Sequence, residues 1–370
     1  MKELRDQLPA LDPITYLNYG RTGPLLDSAA KRMHHFIDEA KAPLQFHRDK
    51  WFDDFDQSRK TVAELIGASS EEIAFVSSTS SGLSLVASSI RWQKEDRILY
   101  PADEYPSNRF VWDNLKEHGV ETKAIEPLQE VSFSEQLEKM DLTRVRLVAV
   151  SAVSFWDGRR HDIERIAQIC RAHKILLCVD AIQAVGAIPV DVKKWGCDFL
   201  ASGGQKWLFG PIGTGFVYIK RDLIPALSVP QVGWANIQPL SDFFTSKFQF
   251  VNGARRFEPS YLHIPAFAGL AAAIETMKQI GWQKIYSRVE SLAERMQKEL
   301  EHLGFFPASQ KAASGIIAFD HPKAEEINNK LLEHQIYITQ RKNRLRVCLH
   351  ASTKEKDIDT FLKHLVSSAI

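Results

Sequence analysis

Ser202-Gly203-Gly204-Gln205-Lys206-Trp207, continued by Gly210-Pro211-Ile212-Gly213-Thr214-Gly215, is the stretch from which the fold is read. Just upstream the run Ile175-Leu176-Leu177-Cys178-Val179 is wholly apolar and closes on Asp180, with Gln183 three residues on. A short apolar run bounded by polar residues reads as a strand buried on both faces. The same texture recurs. Ile73–Val76, Arg97–Tyr100, Val145–Val150, Asp198–Ala201 and Gly215–Ile219 read as strands. Ser80–Ile90, Asn108–His118 and His161–His173 read as helices between them. Apolar strands alternating with helical patterns predict an α/β fold, a mainly parallel sheet covered by helices. Such sheets bind ligands at the carboxyl ends of their strands.

The texture changes after Phe248. Ile264–Leu303 is long and helical, interrupted near Gly281, while Gly315–Phe319 and Leu345–Leu349 read as strands. Ile358, Phe361, Leu362 and Leu365 recur at i, i+3, i+4 and i+7, the apolar stripe of a final helix. The expected organisation is an N-terminal segment (1–15), a large domain (16–260) and a smaller C-terminal α+β domain (261–370). No repeat or low-complexity linker separates them.

A chain of 370 residues is long enough for two packed domains. The 44% hydrophobic and 25% charged composition is that of a globular protein. A net charge of +1 supplies no field to attract nucleic acid or an anionic membrane surface. No apolar run approaches the roughly 18 residues of a membrane-spanning helix. Met1-Lys2-Glu3-Leu4-Arg5-Asp6 has no apolar signal core. The four cysteines (Cys170, Cys178, Cys197, Cys348) show no Cys-x-x-Cys spacing, and Cys170 and Cys178 fall in apolar runs that suit core packing. These features predict a reducing, cytoplasmic setting.

The chemistry-bearing residues follow strand ends. A carboxylate closing an apolar strand is costly unless a cation meets it. Lys206, flanked by Gly203, Gly204, Trp207 and Phe209, lacks the polar setting of an ordinary surface lysine and suits an amine of depressed pKa. An acid for a pyridine nitrogen and a lysine for a Schiff base are what pyridoxal phosphate requires. Ser77-Ser78-Thr79-Ser80-Ser81-Gly82 opens a helix, where a simple serine cap is the commoner reading and a phosphate site the alternative. Tyr105, after the Tyr100 strand, is either a ring that stacks on a flat heterocycle or part of a proline-bounded turn.

The pattern Asp180-Ala181-Ile182-Gln183 with Gln205-Lys206-Trp207-Leu208-Phe209-Gly210-Pro211 resembles fold-type I pyridoxal phosphate enzymes, specifically the class V aminotransferase family. The likeness runs from Tyr16-Leu17-Asn18-Tyr19-Gly20 to the last helix. It implies pyridoxal 5'-phosphate as cofactor, with Lys206 as its Schiff-base lysine and Asp180 on the pyridine nitrogen. Gln183 would meet the phenolic oxygen, Tyr105 would stack on the ring, and Thr79, Ser80 and Ser81 would hold the phosphate. Ser202 and Gln205 belong to the same cofactor set. Arg346, with Asn18, would bind the substrate carboxylate. The resemblance also implies a homodimer with active sites at the subunit interface, in which Ser260 or Tyr261 reaches the partner's phosphate.

Departures from the family pattern matter. Phe155 stands where many relatives carry an asparagine, and Gly203 replaces a hydroxyl residue before the lysine. Phe257-Glu258-Pro259-Ser260-Tyr261-Leu262-His263 replaces Phe-Glu-x-Gly-Thr-x-Asn. Thr339-Gln340-Arg341-Lys342-Asn343-Arg344 contains no cysteine, unlike the loop on which cysteine desulfurases form a persulfide. The expected activity is therefore an aminotransferase acting on a small amino acid: the substrate displaces Lys206, which then removes the Cα proton. The same carbanion also permits C–S or C–Se elimination and epimerisation, and a non-catalytic binding module is the competing reading from another class. Trp156, Trp207, Trp234 and Tyr19 are expected to shape a pocket for an apolar or aromatic side chain.

Overall fold

The computed structural model describes residues 1–128, 130–238, 247–309 and 314–369. Near the N-terminus, helices α1 (Asp27–Glu39) and α2 (Arg48–Leu65) precede the sheet. The sheet strands are β1 (Ile73–Val76), β2 (Arg97–Pro101), β3 (Glu121–Ile125), β4 (Val145–Ser151), β5 (Leu176–Asp180), β6 (Phe199–Gly203) and β7 (Gly215–Ile219). Their spatial order is β1-β7-β6-β5-β4-β2-β3. Pairings from β3 through β6 are parallel, and β7 is antiparallel to both neighbours, so it alone runs against the rest.

Side-chain alternation explains how both faces are covered. Phe75, Leu99, Val148, Val150, Leu177, Val179, Leu200 and Phe216 enter one apolar cluster, with α1 and α2. Ala74, Ile98, Leu147, Ala149, Cys178, Phe199 and Val217 enter another. That second cluster is covered by α3 (Thr79–Ser89) and α4 (Ser107–Asp113), through Leu83, Val86 and Trp112. Helix α5 (Ile163–Ala172) closes the first face through Ile166, Ala167 and Cys170. Successive residues pointing to opposite faces is the period of a strand, so burial on both sides requires the uninterrupted apolar runs.

Helix α6 (Ile264–Ile280) differs from the sequence-based division at Tyr261. Its Phe267, Leu270, Ala273, Ile274 and Met277 lie in the large cluster with α1 and α2, so it packs with the larger unit. Gly281, at φ +104°, ends it and starts α7 (Trp282–His302). Helix α7 bridges the units: Ile285 and Val289 join the large cluster, while Leu292, Met296 and Leu300 join a third. That third core also holds residues of β8 (Ile316–Asp320), α8 (Ala324–Glu333), β10 (Arg344–Cys348) and α9 (Glu355–Ala369), with β9 (Thr339–Arg341) paired to β10. Residues Thr15–Tyr16 pair with Ile336–Tyr337, and Leu17 sits in the third core, so the chain touches the smaller unit before entering the larger one. Leu4, Leu8 and Leu11 of the N-terminal segment are buried in the large cluster.

Candidate active site

Five strands of the sheet each deliver residues to one cavity of about 550 Å³. Ser78, Thr79 and Ser80 follow β1, Tyr105 follows β2, Phe155 follows β4, Asp180 and Gln183 follow β5, and Gln205 and Lys206 follow β6. Arg21 from the N-terminal loop and Thr339, Gln340, Arg341 and Arg346 from the β9–β10 hairpin complete the wall. The position, at the carboxyl edge of the sheet, is the one its topology predicts.

Lys206 is placed by a tight turn. Gly204 accepts from the Gly210 N–H at 2.9 Å and donates to Thr214 O at 2.9 Å. A Cβ on Gly204 would stand 2.6 Å from Thr214 Oγ1 and 2.7 Å from Leu270 Cδ1, so a side chain here would displace the turn. Gly23 closes the other side by donating to Gln205 O at 2.8 Å. A Cβ there would lie 2.2 Å from Lys206 O. Burial depresses the Lys206 ammonium to about 8, against the opposing pull of the Asp180 carboxylate. Its Nζ sits 5.9 Å from the centre of the Tyr105 ring.

Asp180 is 2% exposed. Its Oδ1 accepts from the Ile182 N–H at 3.0 Å, and burial raises its pKa to about 6. Among the described residues it makes no salt bridge. A buried carboxylate without a salt bridge is well suited to a protonated ring nitrogen. Gln183 is fixed from both ends: Oε1 accepts from Trp207 Nε1 at 2.8 Å and Nε2 donates to Gly20 O at 2.9 Å, leaving one amide hydrogen. Thr79 Oγ1 and Gln205 Oε1 are buried with no hydrogen-bond partner among the described residues. Both line the cavity, and Thr79 is the first residue of α3, which Ser78 caps by accepting from Ser81 N–H at 3.1 Å. An acid without a salt bridge, an unpaired hydroxyl, a lysine of lowered pKa and an aromatic ring 5.9 Å from its amine fit pyridoxal phosphate.

The opposite wall is built on the hairpin. Thr339 pairs with Arg346 across β9 and β10. Arg346 Nη2 donates to Thr339 Oγ1 at 3.3 Å and Nη1 donates to Phe155 O. Arg346 is 4% exposed, and its Nε is buried without a partner among the described residues. Thr339 Oγ1 in turn donates to Asn18 Oδ1 at 2.6 Å.

Several expected residues fall elsewhere. Asn18 does not line the cavity: it donates to Ile338 O at 3.1 Å and accepts from Thr339, so it acts on Arg346 at one remove. Ser202 is buried on β6 behind the wall, 3.4 Å from Gly203 O. Ser81 and Ser260 border a neighbouring cavity of about 560 Å³, and Ser80 borders both. Tyr261 stacks on Phe52 at 4.3 Å and its hydroxyl accepts from Arg255 at 2.8 Å. The aromatic pocket expected from tryptophans does not form. Trp207 and Tyr19 are buried outside the cavity lining, Trp234 packs 5.4 Å from Tyr261, and Trp156 lies under Arg344. The aromatic rings of the cavity are Tyr105 and Phe155, 5.0 Å apart edge to face, and apart from Gly20 and Ile182 the remaining lining is polar. Arg21, Arg341 and Gln340 carry no motif. Once β9 and β10 are recognised as a hairpin, strand alternation from Thr339 places Arg341 on the Arg346 face.

Comparisons with known proteins agree with this geometry. The family model described as "Aminotransferase class-V" matches residues 15–360. A probable cysteine desulfurase of Pyrococcus abyssi is 31% identical over 292 residues, covering 77% of this chain and 72% of the relative. The apo structure of a cysteine desulfurase from Thermococcus onnurineus NA1 superposes with a TM-score of 0.90 at 26% identity, over 98% of this chain and 96% of that one. A C-DES mutant with glycine covalently linked to the PLP cofactor superposes with a TM-score of 0.92 at 24% identity, over 98% and 99% of the two chains, and shows the fold-type I architecture expected from the sequence. The match over nearly the whole length places this chain in the class-V aminotransferase family.

Proposed function

We propose that the protein is a pyridoxal phosphate-dependent lyase that cleaves the Cβ–S bond of a small sulfur amino acid and releases the sulfur to solution. The observation that carries this reading is the β9–β10 hairpin. Only Lys342 and Asn343 separate its strands, so no mobile loop exists there to carry a sulfur-accepting cysteine. Similarity to proteins named as cysteine desulfurases supports carbon–sulfur chemistry over the aminotransferase expected from the sequence. A homodimer belongs to this reading; Phe46, Phe110 and Ile212, at 69%, 61% and 81% exposure, are apolar side chains that a partner would cover.

Bound pyridoxal phosphate supplies the electron sink that makes the substrate Cα proton removable. Lys206 would hold it, and its amine, neutral in a substantial fraction near pH 8, is then the base for that proton. Asp180 would keep a proton on the ring nitrogen, Tyr105 would cover one ring face, and Thr79 and Ser80 would receive the phosphate. Arg346, held by Phe155 O and Thr339, presents its unused Nε side to the substrate carboxylate. Transfer of the Cα proton to Lys206 and departure of sulfur with the Cβ–S electron pair leave an unsaturated amine. Water converts it to pyruvate and ammonia.

Product analysis tests the proposal. The holoenzyme is incubated with L-cysteine, L-cystine and S-alkyl cysteines, and pyruvate, ammonia, alanine and cofactor absorbance are followed. Catalytic pyruvate and ammonia in equal amounts are expected. Alanine with sulfur retained on the protein, or a single turnover that aminates the cofactor, would overturn it.

A further inference from the structure

The hairpin that carries Arg346 carries two more arginines on the same face. Thr339 lies opposite Arg346, and Arg341 lies opposite Arg344. Residues two apart on a strand share a face, so Thr339, Arg341, Arg344 and Arg346 all project to one side. Arg344 is neutralised there: its Nε and Nη2 donate to the two carboxylate oxygens of Asp320 at 2.7 and 2.6 Å. Arg346 is held by Phe155 O and Thr339. Arg341 has neither an acid nor a hydrogen-bond acceptor among the described residues. It rests at the mouth of the cavity on two ring faces, its Cζ 5.1 Å from the Phe155 centroid and 5.9 Å from that of Tyr105. Such contacts orient a guanidinium without consuming its five N–H donors.

The charge count of the cavity is uneven. Arg21, Arg341, Arg346 and Lys206 line it, and among the described residues Asp180 is the only carboxylate that does. Asp180 and the cofactor phosphate belong to the cofactor end, and a substrate α-carboxylate answers Arg346. Arg341, exposed to solvent on its outer side, has its pKa lowered by partial desolvation first and then by the like charges of Arg346 and Arg21. A guanidinium kept unpaired beside other cations is suited to an incoming anion.

We infer that Arg341 is a specificity residue for a second acid group, so that the preferred substrate is an amino acid whose side chain ends in a carboxylate or comparable anion. This rests on the reading of the cavity as a cofactor-dependent amino-acid site with Arg346 on the α-carboxylate. It replaces the apolar side chain expected from the tryptophans with a charged one.

Binding to the holoenzyme separates this inference from the lyase assignment, because unreactive acids report on the subsite whatever reaction follows. Propionate, succinate and glutarate are titrated against the parent protein, Arg341→Gln and Arg346→Lys, with the cofactor absorbance and thermal stability as readouts. One of the two dicarboxylates should bind the parent about tenfold or more tightly than propionate, the gain of one charge-assisted contact. Arg341→Gln should erase that preference while weakening propionate far less; Arg346→Lys should weaken all three. Equal binding of mono- and dicarboxylates by the parent would overturn the inference. So would a dicarboxylate preference that survives Arg341→Gln, or an Arg341→Gln variant that loses propionate as severely as succinate. The last result would make Arg341 a second ligand of the α-carboxylate. Arg341-dependent dicarboxylate binding without pyruvate release would instead leave the subsite standing and remove the lyase reading.

Discussion

Thr339 stands directly across the β9–β10 hairpin from Arg346 and links it to Asn18, accepting from Arg346 Nη2 at 3.3 Å while donating to Asn18 Oδ1 at 2.6 Å. Arg346 is thereby held by a residue that no site motif includes. Thr339→Val keeps the β-branched shape but removes both bonds. Loss of one such support is worth about 1 kcal/mol, or roughly fivefold in kcat/KM. The rise should appear in KM for amino acids, with cofactor affinity unaltered. Steady-state kinetics with a cofactor titration check this, and equal losses in both would assign Thr339 a merely structural part.

Arg346 itself should be far less tolerant. Arg346→Lys retains the charge, but one ammonium cannot donate to Phe155 O and Thr339 and also present a planar edge to a carboxylate. An unmade charge-assisted contact costs about 1.5–3 kcal/mol, so kcat/KM should fall roughly 10- to 150-fold. Amines without a carboxylate should be poor substrates of the parent and nearly indifferent to the change. Good turnover of such amines by the parent would show that Arg346 does not read a carboxylate.

Burial holds the free Lys206 amine near 8. The neutral amine is the nucleophile, so capture of pyridoxal phosphate by the apo protein should speed up as pH rises through about 8 and level off above it. Lys206→Ala should fold normally, form no borohydride-fixable adduct and show no turnover. A capture rate still climbing steeply above pH 10 would mean that Lys206 has the pKa of an ordinary solvated lysine.

Glu104 predicts a pH dependence of stability. Its carboxylate is buried beside the strand ends, accepts from Ser151 N–H and Oγ, and is raised from 4.5 to about 7, chiefly by burial, with Asp180 adding to the effect. The folded state therefore binds this proton more tightly than the unfolded state. The stability it contributes is complete below about 4.5 and is lost as pH rises through about 7. A shift of that size corresponds to about 3 kcal/mol. Asp180, raised to about 6, acts in the same direction, so the comparison with Glu104→Gln isolates the Glu104 share. Urea unfolding of the apo protein at pH 5 and pH 8 should show a smaller difference in the variant. An unchanged difference would mean that Glu104 titrates alike in both states.

The sequence was most legible where burial is complete. Strands β1, β2, β4, β5, β6 and β7 are apolar runs because both faces are covered, and each was visible as such. Strand β3 was not: Glu121-Thr122-Lys123-Ala124-Ile125 lies at the sheet edge with three of its five residues exposed, so it has no apolar run to read. Asp180 and Lys206 were legible because each must sit at a strand end in an environment hostile to charge. The partners that hold the site were not. Trp207 meets Gln183, and Thr339 meets Asn18 from 321 residues away, through contacts that only the folded chain creates. Arg341 gives no signal in the sequence, because which of the hairpin arginines meets an acid depends on the pairing of Arg344 with Asp320, a contact of the folded chain.

Cys348 is the residue whose removal decides between a released sulfur and a protein-bound one. It lies on the Arg346 face of β10, two residues on, which by itself would suggest access to the substrate. Its surroundings argue otherwise. Cys348 is 0% exposed, pairs with Ile316, donates its N–H to Leu17 O at 2.8 Å, and packs its sulfur so closely on Gly20 that a Cβ there would stand 2.7 Å away. A thiol locked on the central strand of a three-stranded sheet cannot swing to a substrate sulfur and back. Cys348→Ala should therefore still release sulfide from cysteine, with kcat/KM changed by well under an order of magnitude. Intact-mass measurement of the parent after reaction with cysteine should show no protein carrying an extra sulfur. Stoichiometric sulfur on Cys348, together with abolished turnover in Cys348→Ala, would make this chain a persulfide-forming desulfurase that works from a strand.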